Sequence, residues 1–449
     1  MPSTLLWFRQ DLRLSDNPAL LAAVELGLPI LPVYILDDDN AGAWKMGGAS
    51  RVWLHHSLIA LNKSLNGKLL ILRGKADDII PRLCAAHDVK SVLWNRCYEP
   101  WRMARDSKIK NDLIDRDIHV QSFCGSLLWE PWTIAKDDGT PYKVFTPFYR
   151  KGCLSKGEPQ SPLPAPKTLN LLNHNASSDD LTLLPSLPWK DSIIQSWTIG
   201  ESGAIKCLDH FLENGIRDYK DGRDVPSKNS VSRLSPHLHF GEISPHQVWH
   251  AAKHYALSHN LESQLDKFHA ELGWREFSHS LLYNFHQLPE QNWNSKFDHF
   301  PWADIDDDKL NAWKHGMTGY PMVDAGMREL WATGYMHNRV RMVVGSFLVK
   351  HLRYHWRVGE DWFWDTLFDA DLANNAASWQ WVAGTGADAA PYFRVFNPTT
   401  QMEKFDPNHL YIKKWIPEFG TPKYPAPIID HNEARNAALE AFQALKGGE

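Results

Sequence analysis

Residues 154–190 read LSKGEPQSPLPAPKTLNLLNHNASSDDLTLLPSLPWK. Six prolines with interspersed Ser and Asn leave no helical or strand period, so this stretch reads as a long connector over the surface. It divides two kinds of sequence. Upstream, short apolar runs at 4–8, 28–35, 68–72, 90–94 and 118–123 alternate with amphipathic stretches at 17–26, 51–65, 76–87 and 102–116. Strand–helix alternation predicts a parallel sheet with helices on its faces. Downstream of about residue 198 the period is helical, at 200–214, 244–258, 261–284, 308–316, 320–333, 337–352, 360–367 and 431–445. The expected architecture is an N-terminal, Rossmann-like parallel-sheet α/β domain (1–130), an interdomain linker (131–197) and an all-helical domain (198–449).

The 449 residues can bury a large core without disulfides or structural metal. No run of about 18 apolar residues predicts a membrane span. The N-terminus Met1-Pro2-Ser3-Thr4-Leu5 lacks a basic then apolar leader, which argues against secretion. Five cysteines at 84, 97, 124, 153 and 207 read as free thiols in a reducing cytoplasm. A net charge of −5 excludes a uniformly basic nucleic-acid coat, but not a basic patch on an acidic body. Twenty-one tryptophans are many, and ten of them fall between 274 and 381. Such density suits packing around a flat aromatic group, or a Trp-rich helical core.

Several catalytic patterns are missing. There is no G-x-G-x-x-G, Walker A, H-E-x-x-H or G-x-S-x-G. The cysteines lack metal spacing, and His55-His56 and His237-Leu-His239 lack further ligand partners, so no metal is expected. Four segments carry polar chemistry. In Glu271-Leu-Gly-Trp274-Arg275-Glu276-Phe277, helical spacing puts Glu271, Trp274 and Arg275 on one face. Met336-His337-Asn338-Arg339-Val-Arg341-Met342 packs two arginines that cannot share a face, so one can pair internally while the other reaches a phosphate. Asp369-Ala-Asp371-Leu-Ala-Asn374-Asn375-Ala-Ala-Ser378-Trp379-Gln380-Trp381 sets acids and amides beside small residues, as in a wall around a polar ring system. Ala389-Ala-Pro-Tyr392-Phe-Arg394 to Gln401 offers donors on a loop. Each segment alone also reads as ordinary helix or loop. Together with Arg223 and Arg233, they interleave cations and aromatics as stacking on unpaired bases requires.

These residues bring the chain to a known family. It resembles the DNA photolyase/cryptochrome family, and within it the class I cyclobutane pyrimidine dimer photolyases. The resemblance runs nearly end to end. It rests on Leu6-Trp-Phe-Arg-Gln-Asp-Leu-Arg-Leu-Ser-Asp-Asn-Pro, Ser232-Arg-Leu-Ser-Pro-His-Leu-His-Phe-Gly, Glu271–Phe277, Thr318-Gly-Tyr-Pro-Met-Val-Asp-Ala-Gly-Met, Met336–Met342, Asp369–Trp381 and Gly386–Gln401.

The resemblance implies FAD, active when reduced, in the helical domain. Tyr219, Val231, Ser232, Arg233, Leu234, Ser235, Phe268, Asp369 and Asp371 match cofactor-contacting positions. Val231 stands where relatives often carry Thr, and Phe268 where Trp is common. Arg341 is expected to pair with Asp369, and Asn375 to face flavin N5. Glu271 and Met342 match contacts to a flipped-out dimer, and Trp274 and Trp381 match positions that stack on its bases. Protonated Glu271, or a nearby Arg, is expected to stabilise charge on the dimer. Arg223, Arg275, Asn338, Arg339, Arg394 and Gln401 match DNA-contacting positions. Trp379, Trp356 and Trp302 match an electron-transfer chain that photoreduces the flavin. The implied activity is a carbon–carbon lyase that repairs damaged DNA containing pyrimidine dimers, with the flavin doing the hard chemistry and the protein positioning the substrate.

Asn338 replaces the second His of a pair that (6-4) photolyases carry, which disfavours that branch. Trp274 and Met342, typically lost in plant-type cryptochromes, are present. The chain ends about 50 residues after Arg394, in Lys446-Gly-Gly-Glu, without a long extension. Two other functions stay open: a blue-light photoreceptor signalling through a partner, and a flavin-containing single-strand binder. The family's α/β domain often binds an antenna chromophore, a deazaflavin or a folate. Here Tyr98-Glu99-Pro100-Trp101-Arg102 puts Arg in place of the second Glu of the folate-binding run. A monomer is expected, cytoplasmic and nucleoid-associated when on DNA.

Overall fold

In the computed structural model, which describes residues 1–174, 176–186 and 188–446, the first 123 residues form a five-stranded parallel sheet. Its strands are β1 (Ser3–Phe8), β2 (Ile30–Leu36), β3 (Leu70–Arg73), β4 (Val89–Asn95) and β5 (His119–Phe123), in the order β3-β2-β1-β4-β5. Leu5 on central β1 pairs with Leu31 of β2 and Val92 of β4. Every residue of β1 and β2 is buried, because helices cover both faces. Those helices are α1 (Pro18–Glu25), α2 (Gly48–Ser64), α3 (Ala76–Ala86) and α4 (Pro100–Ile114). Asn17 caps α1 by accepting from Leu20 N, which sets its start one residue after the sequence-based expectation.

The interval 131–197 packs in two directions. Its first part, with Phe148 and Tyr149 buried, joins the core of the helical domain. Its second part runs beside the sheet: Leu172 N donates to Ile30 O, Asp179 N donates to Ile71 O, and Leu181 and Leu183 are buried. Apolar residues among the prolines thus dock this connector against the α/β domain, where composition alone predicts a surface path.

The helical domain contains α5 (Glu201–Asn214), α6 (Pro245–Ser258), α7 (Glu262–Asn284), α8 (Asp307–Lys314), α9 (Pro321–Thr333), α10 (Asn338–Ser346), α11 (Trp356–Thr366), α12 (Leu372–Ala383) and α13 (His431–Lys446). A capping box of Ser244 and Gln247 starts α6. The helix expected over 337–352 is divided: α10 ends at Ser346 and a π turn continues over Phe347–His351. α11 begins four residues earlier than its apolar period predicts, because the His355 ring caps it by accepting from Arg357 N. Asp371 caps α12 by accepting from Asn374 N at 2.8 Å. α12 is central, packing against α7, α10 and α11. Fully buried Arg13 joins the domains by donating to Gly125 O and Gly241 O.

Among the described residues, no helix is long and apolar enough to cross a membrane, and no group of three or more His, Cys, Asp or Glu is placed to hold a metal. The tail residues 447–449 lie outside the described residues.

Candidate functional site

The four helices α7, α10, α11 and α12 enclose a cavity of about 380 Å³. That is within the roughly 300–1,000 Å³ of small-molecule and cofactor sites. Its wall changes character with depth. Phe363, Leu367, Asn375 and Trp379 are buried, whereas Arg223, Glu271, Trp274, Arg339, Met342 and Trp381 are half-buried and Asn338 is exposed.

The buried end is polar in a specific way. Arg341 Nη2 donates to Asp369 Oδ2 at 2.9 Å, while Asp369 Oδ1 is buried without a partner. Asn375 Nδ2 donates to the Glu360 carbonyl at 3.0 Å, which leaves Oδ1 as that side chain's acceptor. A buried acceptor without a donor costs free energy, so Asp369 and Asn375 suit a ligand that carries N–H groups between aromatic walls. The Glu360 carboxyl is also buried and unpartnered, and burial pushes it well above the usual carboxylate range.

Beneath this end, two imidazoles face Asp371. His279 Nε2 lies 3.4 Å from Asp371 Oδ2, and His239 Nδ1 lies 4.0 Å from it. His279 Nδ1 faces the Arg275 carbonyl at 2.9 Å, so both its nitrogens meet acceptors; burial lowers its pKa, but Asp371 outweighs this and raises it. Burial raises the Asp371 carboxyl, but the His279 cation outweighs it and holds the group below its ordinary range.

The half-buried end is a charged rim. Glu271 pairs with Arg223 and with Lys267, the latter at 3.4 Å one turn earlier on α7. Arg339 Nη2 pairs with Asp224 at 2.9 Å and its guanidinium covers Phe405. The two arginines of the 336–342 segment therefore divide as their spacing predicts, Arg341 inward and Arg339 to the rim.

The structure places eleven of the sequence-predicted residues on this wall: Arg223, Glu271, Trp274, Asn338, Arg339, Arg341, Met342, Asp369, Asn375, Trp379 and Trp381. Others stand nearby. Phe268 and Tyr219 meet edge to face at 5.3 Å, one turn before Glu271. Val231 and Ser232 to Ser235 form a turn in which Arg233 takes a left-handed φ of 53° and covers Trp197. Arg233 therefore sits on an indole rather than joining a rim patch. Arg394 and Gln401 lie beyond the wall, on the chain that follows Ala387.

Arg275 departs from its expected place. It is off the cavity wall and pairs with buried Glu276, whose other oxygen accepts from the amides of Leu128 and Trp129. The i+4 position turns it toward Glu276, which joins residues 128–129 to α7.

The Trp379 indole packs against Gly359 of α11. A Cβ at Gly359 would stand 2.1 Å from its Cη2, so only glycine admits the indole there. Trp356, three residues earlier, is fully buried with its Nε1 donating to Asn292. Trp356 and Trp302 flank His355, with centroids at 5.4 and 5.1 Å.

The comparisons agree with this arrangement. Residues 4–167 match the DNA photolyase family model, and residues 268–421 match the model of the FAD binding domain of DNA photolyase. The chain belongs to the DNA photolyase family. The deoxyribodipyrimidine photo-lyase of Agrobacterium fabrum is 47% identical to this photolyase-family chain, over 98% of it and 98% of the relative. Cryptochrome-2 of Arabidopsis thaliana is 39% identical over 95% of the chain and 72% of its own length. A crystal structure of a bacterial class III photolyase from Agrobacterium tumefaciens superposes with a TM-score of 0.94 at 47% identity, covering 100% of this chain and 98% of that one. An archaeal photolyase from Sulfolobus tokodaii, described with two FAD molecules, gives 0.84 at 30% identity, covering 99% and 100%. The resemblance to class I therefore holds at the level of the family, while this structural relative is called class III. The helical domain is an FAD-binding domain, and the unpartnered Asp369 Oδ1, the Asn375 Oδ1 and the aromatic walls fit that cofactor.

Asn374 and Ser378 of the 369–381 segment also line the wall, as do Lys267, Phe363 and Leu367, which sequence reasoning did not single out. Lys267 had a signal, since it stands four residues before Glu271.

Proposed function

We propose that this protein repairs cyclobutane pyrimidine dimers in DNA with light. The observation that carries the reading is one cavity with a buried acceptor-rich end and a half-buried rim bearing Trp274, Trp381, Met342 and Glu271. Bound reduced FAD supplies the light absorption and the single electron that opens the cyclobutane ring. The chain does the rest. Arg223, Lys267 and Arg339 attract backbone phosphates at the rim, with Arg394 and Gln401 on the adjoining segment. Trp274 and Trp381 stack on a dimer taken out of the duplex, and unstacking costs least for a damaged pair. Glu271 hydrogen-bonds the dimer, and its two cationic neighbours stabilise negative charge that develops there. Trp379, Trp356 and Trp302 carry electrons inward to keep the cofactor reduced.

We also read the protein as a cytoplasmic monomer, nucleoid-associated on DNA, with its five cysteines unpaired. An antenna chromophore is a further part of the reading. A cleft at the ends of β1 and β2, lined by Arg9, Tyr34, Trp44, Trp101 and Arg102, is the α/β domain's candidate place. Its volume of about 30 Å³ is far below the roughly 300–1,000 Å³ of cofactor sites, so a deazaflavin or folate ring does not fit it as it stands.

The test is repair of thymine-dimer DNA by photoreduced protein in blue light against a dark control. Restored thymine only in light supports the reading. Light-driven flavin reduction without repair favours the alternative, a cryptochrome-type photoreceptor, which the similarity to plant cryptochromes keeps in view.

A further inference from the structure

Trp274 offers the cavity one face of its indole, because the other is covered. Phe145, which is not on the cavity wall, lies against it with ring centroids 3.8 Å apart and planes at 9°. Phe145 belongs to the segment between the two domains, far from Trp274 in sequence. Tyr149 continues the stack at 5.6 Å and 7°. Gly273 makes room for that ring: a Cβ there would stand 2.5 Å from Tyr149 Cδ2.

Three fastenings hold this strap to the helical domain. Arg150 donates to both oxygens of Asp266 on α7, at 2.9 and 2.8 Å. Phe277 closes on Phe145 edge to face at 6.1 Å. The Phe145 backbone N–H donates to Asp388 Oδ2 at 3.1 Å. Asp388 is exposed, takes a left-handed φ of 49°, and follows Ala387, which lines the cavity. The strap therefore connects the Trp274 wall to the start of the segment that carries Arg394.

We propose that Phe145 is a positioning residue that holds the Trp274 indole as a fixed stacking platform, with Asp388 as the latch that keeps Phe145 in place. A half-buried indole free to change rotamer must be ordered when a base stacks on it, and that ordering subtracts from affinity. Pre-stacking on Phe145 removes this cost before the substrate arrives. Undamaged duplex DNA keeps its bases stacked and meets only the charged rim. The platform therefore acts on the preference for a lesion and leaves general DNA affinity alone. This inference rests on the proposed reading of the cavity as a site for a flipped dimer.

The experiment compares wild type with Phe145→Leu, Phe145→Tyr, Asp388→Ala and Asp388→Asn, each with its flavin content measured. The readouts are Kd for a duplex with one thymine dimer, Kd for the matched undamaged duplex, and KM and kcat of light-driven repair. Phe145→Leu is expected to weaken dimer binding and raise KM about three- to tenfold, with undamaged-DNA binding and kcat at saturating DNA unchanged. Phe145→Tyr restores both values. Asp388→Ala gives a smaller loss in the same direction, and Asp388→Asn matches wild type because its amide oxygen still accepts. Dimer binding equal to wild type in both Phe145→Leu and Asp388→Ala overturns the proposal, as does parallel weakening on both DNAs. If Phe145→Leu does not fold, the Asp388 pair decides alone, since that side chain is exposed. A wild type with no preference for dimer DNA fails at an earlier step, because it removes the repair reading itself.

Discussion

Arg341 neutralises one oxygen of Asp369 at 2.9 Å and leaves the other buried and unpartnered. The pair is thus half satisfied, and the free oxygen suits a donor on a ligand of the FAD-binding domain. Asp369→Asn is expected to lower flavin retention at least about tenfold, the scale of one charge-assisted hydrogen bond. Arg341→Ala leaves a buried carboxylate without its cation, at a cost of roughly 3–5 kcal/mol. The flavin-to-protein absorbance ratio after gel filtration checks the first, and urea unfolding checks the second. Full flavin retention in Asp369→Asn would contradict this account.

Gly359 and Trp356 test the electron path separately from the substrate site. Gly359→Ala drives a methyl into the Trp379 indole and is expected to cost about 1–3 kcal/mol through overpacking. Trp356→Phe keeps the packing but removes the expected electron donor. Photoreduction should then be lost, while chemically reduced enzyme still repairs dimers. Normal photoreduction in Trp356→Phe would remove that residue from the path.

The rim should reveal itself in salt. Arg223→Ala and Lys267→Ala are each expected to reduce the slope of log Kobs against log salt by about one, equally on damaged and undamaged DNA. Unchanged slopes in both variants would place the phosphate contacts elsewhere.

Glu271 sits between two cations, so its removal alters charge as well as hydrogen bonding. Glu271→Ala is expected to lower the quantum yield of repair, and Glu271→Gln to retain more of it through its amide. Equal quantum yields for all three proteins would exclude a role for this side chain in the electron-transfer step.

Lys350 gives a pH dependence with a definite sign. Burial, assisted by Arg394, lowers its ammonium to about 7, although Nζ donates to the Arg394 carbonyl at 2.9 Å. The unfolded chain holds this proton up to about pH 10. Between about 7 and 10 the unfolded state therefore binds more protons, and stability from this group rises with pH. Below about 7 the buried charge destabilises fully. Lys350→Met should flatten that part of the stability profile, read from urea unfolding at a series of pH values. Identical profiles would show that Lys350 keeps its proton throughout.

The linear sequence determined the fold class, because periodicity is local. Five apolar runs gave five parallel strands, and the helical periods downstream gave helices. The division of Arg339 from Arg341 was also legible, since two residues apart on a helix cannot point the same way. Spacing failed where a side chain answers to a distant element. Arg275 shares a helical face with Glu271, yet buried Glu276 draws it from the cavity. The π turn after Ser346 and the docking of the connector on β2 and β3 likewise depend on partners remote in the chain. Phe145 is the sharpest case. Nothing within its own segment points to Trp274, and their contact exists only because the strap folds back across α7. The sequence alone determined which elements form and which residue types are available for flavin and DNA. Tertiary structure decided which of them face one cavity, because that depends on packing between elements, which no local period records.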